Sequence, residues 1–143
     1  MELKFGGCIA MDNLSKKQKK EMLDLFGEKI IEKRDYSLHV AMSTVKQTTT
    51  NPADLGKYDS LLRLSNEQKE AVCDLLSETI TNTIYNVLEM FEENDEMMKL
   101  SLIHEKKEYN MIEVSEKMGS EIACYDEDEG WIQRFSEIGR FVL

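Results

Sequence analysis

Apolar positions recur every three to four residues in two long stretches of the chain, and every second residue in a shorter one. In the first stretch Met22, Phe26 and Ile30 fall four apart, with Leu23 and Ile31 widening the stripe, the pattern of a helix with one face turned to a core. Ser15-Lys16-Lys17-Gln18 opens it in the form of a capping box, serine oxygen to a backbone N–H and glutamine reaching back. Gly27 lies inside the stripe, where it weakens a helix by about 1 kcal/mol relative to alanine, so either a close contact or fraying is expected there. Arg34-Asp35 is expected to interrupt the helix, with Tyr36, Val40 and Ala41 or Met42 resuming it. From Gln47 to Asp59, three threonines, Asn51-Pro52 and Gly56 read as a loop; the proline pushes Asn51 out of helical backbone.

The second stretch is stronger. Ser65-Asn66-Glu67-Gln68 repeats the capping-box form, and behind it Val72, Leu76, Ile80, Ile84, Leu88 and Phe91 recur almost every four residues, with Cys73, Leu75 and Val87 broadening the face. This predicts a helix over 66–93, with Glu67 favoured by the dipole at its start and Asn94 as a left-handed cap at its end. A stripe that long must bury against something, and a sheet is the expected partner.

The sheet is read from the residues that follow. Leu100, Leu102 and His104 alternate with Ser101 and Ile103, and Tyr109, Met111 and Glu113 alternate with Asn110, Ile112 and Val114. Residues 98–104 and 108–114 are therefore expected to form a hairpin around Glu105 to Glu108, a turn without an Asn-Gly signature. Glu121 to Tyr125 reads as a third strand. Trp131, Phe135 and Ile138 then predict a short C-terminal helix ended by Gly139. Long helices on a small antiparallel β-meander, with a short C-terminal helix, make an α+β fold. The 143 residues fit a single domain over 1–143, with 1–14 a short strand (Leu3, Phe5) or a flexible lead-in.

Composition sharpens the functional side. Eighteen basic against twenty-eight acidic residues leave a net charge of −10, which argues against a nucleic-acid backbone binder. The acidity is uneven: residues 1–58 carry a net +2 and residues 59–143 a net −12, with fourteen acids against four lysines between Glu89 and Glu129. Three cysteines (Cys8, Cys73, Cys124) without C-x-x-C spacing suggest reduced thiols, as in the cytoplasm, and neither a disulfide framework nor a zinc ribbon. No apolar run approaches the ~18 residues of a membrane span, so no membrane partner is expected.

Catalytic and metal signatures are weak. Asp126-Glu127-Asp128-Glu129-Gly130 invites a calcium-loop reading in which Glu137 stands at the twelfth position, but the glycine arrives one place early and the third aspartate is missing. An acidic corner that favours the N-terminus of the Trp131 helix explains the same residues. His104 and Cys124 could neighbour each other across strands, yet no orienting third group or oxyanion turn accompanies them. The expectation is a non-enzymatic protein without cofactor or metal. Trp131 has two readings, an anchor of the final helix in the core or an apolar contact at a protein interface.

Gly119-Ser120-Glu121-Ile122-Ala123, Asp128-Glu129-Gly130-Trp131-Ile132 and Phe135-Ser136 give the C-terminal half its texture. In size, charge and texture it resembles the small acidic bacterial immunity-type proteins of toxin–immunity loci. The resemblance implies a cytoplasmic inhibitor that occludes the active site of a basic toxin or nuclease domain. The charge gives this an independent rationale, since many nucleases are cationic to meet an anionic substrate and an acidic protein can occupy that surface. The expected contacts are Glu113, Glu116, Asp126, Glu127, Asp128 and Glu129, with Trp131 as the apolar anchor. Two alternatives stay open. One is a phage or mobile-element anti-defence protein that sequesters a small nucleotide signal, with Arg34, Arg134 or Arg140 on the phosphates, or blocks a host defence protein. The other is a small hydrolase using Cys124 or His104. The oligomeric state is also open, a homo-oligomer included.

Overall fold

A computed structural model describes residues 14–46, 53, 56–123 and 130–138. Two long helices dominate it: α1, Lys16–Val45, and α2, Asn66–Glu93. Both begin as the sequence predicts. Ser15 Oγ accepts the Gln18 N–H at 3.1 Å while the Gln18 amide oxygen accepts the Ser15 N–H at 3.0 Å, and Ser65 with Gln68 repeats the arrangement at 3.1 and 2.9 Å. The expected break at Arg34-Asp35 does not occur. Arg34 is buried and its guanidinium finds tertiary partners, donating from Nε to Thr81 Oγ1 at 3.0 Å and from an Nη to Ser77 Oγ at 3.4 Å.

These contacts also fix how the helices run. Arg34 meets Ser77 and Thr81, and Met22 shares a core cluster with Leu88, so α1 and α2 pair as an antiparallel hairpin. The α2 stripe therefore buries chiefly against a helix, and the sheet expected there is too small to cover it. Asn94 is not left-handed (φ −122°) but ends α2 with its side chain, whose Nδ2 donates to the Met90 carbonyl at 2.8 Å.

A 3-10 turn, Asp59–Arg63, precedes α2 in the connection, and the elements after α2 close the end of the hairpin where Met22 and Leu88 lie. The strands β1, Ser101–His104, and β2, Lys107–Asn110, pair antiparallel with Leu102 opposite Tyr109. Glu105 and Lys106 make the turn with φ of 50° and 66°, the two-residue geometry that matches strand twist and that Asn-Gly would adopt with less strain. The alternation stops earlier than expected. Asn110 Oδ1 accepts the Ile112 N–H at 3.3 Å and starts one helical turn, α3, Met111–Val114, which buries Met111 and Val114 on one side. No third strand forms at 121–123: Met118–Glu121 is a 3-10 turn, and the Ile122 carbonyl accepts the Ile132 N–H at 3.0 Å. Among the described residues the sheet thus has two strands. Cys124 and Tyr125, the rest of the expected strand, lie outside the described residues, as do Cys8 and the lead-in to residue 13.

The final helix, α4, Trp131–Phe135, supplies the centre of the core. Trp131 has no exposed surface and belongs to one buried cluster with Met22, Ile31, Leu88, Met111, Val114, Met118, Ile122 and Ile132, with the Phe26 ring edge-on at 5.8 Å. Its indole lies across Gly27, where an added Cβ would fall 2.5 Å from Nε1 and 2.6 Å from Cδ1. The glycine in the first apolar stripe is explained by this close approach, and the helix does not fray there. The fold is α+β, with long helices, a small antiparallel sheet and a short C-terminal helix. No described helix is long and apolar enough to cross a membrane.

Candidate functional site

Positions 28, 32, 35 and 39 of α1 are spaced four, three and four apart, so Glu28, Glu32, Asp35 and His39 share one side of the helix. The segment after α4 lies against that side. Asp35 accepts the Ser136 hydroxyl at 2.9 Å and the Glu137 N–H at 2.9 Å. Together with Tyr36, Phe135, Glu137 and Ile138 these residues line a pocket of about 470 Å³.

Four carboxylates and two aromatic rings give this pocket its chemistry. Asp35 is bound inward, to Arg34 at 2.9 Å as well as to Ser136 and Glu137. Glu28, Glu32 and Glu137 are exposed. Glu32 accepts Lys29 Nζ at 3.1 Å, and this lysine together with Lys33 holds its carboxyl below the ordinary value. Tyr36 is 68% exposed, a large ring left in solvent beside the acids. Carboxylates around an open aromatic face suit a guanidinium or ammonium group, through ion pairs and cation–π contact. Among the described residues no group of three His, Cys, Asp or Glu side chains is arranged to hold a metal ion.

The residues expected to form the site are distributed differently. Glu113, in α3, and Glu116, just after it, are exposed. Asp126, Glu127, Asp128 and Glu129 lie outside the described residues. Trp131 cannot serve as an interface anchor, because the core takes its whole surface; its Nε1 is buried without an acceptor. Arg34, proposed for phosphate, is committed to Asp35, Ser77 and Thr81, and burial lowers its pKa against the opposing pull of Asp35. Arg134 donates to Asp24 at 2.8 Å and stands over the Phe135 ring at 4.7 Å. Arg140 is outside the described residues. His104 is half-buried in β1, with Lys107 opposite.

The acids of α1 were missed for an arithmetic reason. Lys16, Lys17, Lys19 and Lys20 in the first turns offset them in the sum over residues 1–58, although the two groups are well separated along the helix. The spacing of Glu28, Glu32 and Asp35 was the available signal. No protein family, curated protein or solved structure matches the chain.

Proposed function

We propose that the chain is a non-enzymatic binding protein of the immunity or inhibitor type, which neutralises a basic protein such as a toxin or nuclease domain by occupying its cationic surface. The observation that carries this reading is the acidic pocket on α1: three exposed carboxylates, Glu28, Glu32 and Glu137, beside the open ring of Tyr36. A basic side chain of the partner enters it, and the net charge of −10 accelerates the encounter by about 10–10³-fold at low salt. The exposed Glu113 and Glu116 extend the same attraction. The nucleotide-sequestering alternative has less support, since Arg34 and Arg134 already hold internal carboxylates.

The test is affinity capture from cells that make the protein, with the tagged chain as bait. The expected result is a basic protein that is released by about 0.5 M salt and is lost with the Glu28→Lys/Glu32→Lys variant. Recovery of neutral or acidic proteins alone, or a basic protein held equally by the variant, would overturn the proposal.

A further inference from the structure

The side of α2 that faces α1 does not use up that helix's apolar surface. At about 100° per residue, the buried Cys73, Ser77 and Leu88 form the covered band, with the half-buried Ile84 at its edge. Val72, Leu76, Thr79, Thr83, Val87 and Met90 form a second band beside it, half-buried or exposed; Val87 is 46% and Met90 38% exposed. A groove of about 360 Å³, with Ile80 and Ile84 on one wall and Ile30 and Ser37 on the other, continues this face onto α1. The second band carries no charge from Val72 to Met90, whereas Glu67, Glu70, Asp74, Glu78, Glu89 and Glu92 all lie on the opposite flank of α2.

We propose that this face pairs with the same face of a second copy, α2 against α2 in antiparallel register. The band is self-complementary, as a two-fold contact requires. Run against itself, it sets Val72 opposite Met90, Leu76 opposite Val87 and Thr79 opposite Thr83, with small residues at the centre and larger ones at the ends. Its spacing of three and four is the seam pattern of paired helices. Charge selects the same face, because two chains of net −10 repel each other wherever carboxylates meet, and α2 keeps its carboxylates away from this seam. Lys33, 80% exposed at the α1 rim, reaches past the contact to solvent.

Size sets the strength. Val72 to Met90 spans about 27 Å, and two helices side by side are about 20 Å wide, a face of roughly 540 Å² in projection. A standard interface removes about 800 Å² of accessible surface from each partner, so the pair is reversible, with a Kd on the order of micromolar.

Sedimentation equilibrium of the full chain tests this between about 1 and 200 μM, a range that brackets a micromolar Kd. The expected average mass rises from 16.6 kDa towards twice that value. Thr83→Lys and Val87→Lys, both at exposed positions, keep the helical circular dichroism and stay at the single-chain mass, while Glu70→Lys on the other flank still pairs. Salt strengthens the pairing by screening like charge, opposite to its effect on a basic partner. A single-chain mass at every concentration overturns the proposal, as does pairing that survives both lysine substitutions or weakens with salt.

Discussion

Replacing Gly27 by alanine tests the centre of the fold, because two large effects oppose each other there. In an open helix the substitution stabilises by about 1 kcal/mol. Here the new methyl would fall 2.5 Å from Trp131 Nε1 and 2.6 Å from Cδ1, well inside contact distance, and the indole has no exposed side to move towards. Overpacking of this kind costs about 1–3 kcal/mol, and loss of a buried tryptophan's packing about 3–5 kcal/mol. The net expectation is a destabilisation of about 2 kcal/mol. With about 3 °C of melting temperature per kcal/mol for a chain of this size, the midpoint falls by about 6 °C. Thermal and urea unfolding of Gly27→Ala, Trp131→Phe and the double variant measure it. The smaller ring makes room for the methyl and removes the unpaired Nε1 donor, so the double variant is more stable than the two single effects added together predict. A rise in melting temperature for Gly27→Ala alone would refute the close-packing argument.

Three further predictions concern charge and backbone. Asp35→Ala strands the buried Arg34 guanidinium and is expected to cost about 3–5 kcal/mol in urea unfolding, whereas Arg34→Met/Asp35→Ala costs clearly less; equal or larger loss in the double variant would contradict the pairing. Burial pushes the Asp24 carboxyl up, but hydrogen bonds from Arg134 and Lys20 outweigh this and hold its pKa below the ordinary 3.8. Its stabilisation is therefore fully present above that value and disappears as pH falls through the lower folded-state pKa. The melting-temperature gap between wild type and Asp24→Asn, worth about 1 kcal/mol at pH 6, should close at lower pH, and a gap that stays constant would be the wrong outcome. Glu105→Asn/Lys106→Gly relieves the two left-handed turn residues and is expected to raise the midpoint by about 2 °C, for a gain of about 0.5 kcal/mol; a fall would refute the turn assignment.

What could be read from the sequence was local. The Ser15 and Ser65 capping boxes and the ends of α2 depend on residues within one turn of each other, and they stand where the spacing puts them. What misled was tertiary. Arg34-Asp35 was expected to interrupt α1, yet the pair neutralises itself and Ser77 and Thr81, 43 and 47 residues away, accept the Arg34 N–H groups, so the helix runs through. Met111 and Val114 were read at strand period, but Asn110 caps a helical turn that buries both on one side. Trp131 could be weighed as core or interface from sequence, and its complete burial in the core cluster, against Gly27, decides between them. The acidic pocket was hidden because net charge summed over a segment discards direction, while a helix face preserves it.

The central claim, a cationic partner seated on the α1 pocket, is tested most directly by the association rate of a captured partner against salt and against charge reversal. Glu28→Lys/Glu32→Lys is expected to slow association by about tenfold or more at low salt and to flatten its salt dependence. Asp126→Lys/Glu127→Lys/Asp128→Lys, the acidic corner read from the sequence, should have the smaller effect. An association rate insensitive to the α1 reversals and to salt, or one slowed only by the Asp126–Asp128 reversals, would contradict the account.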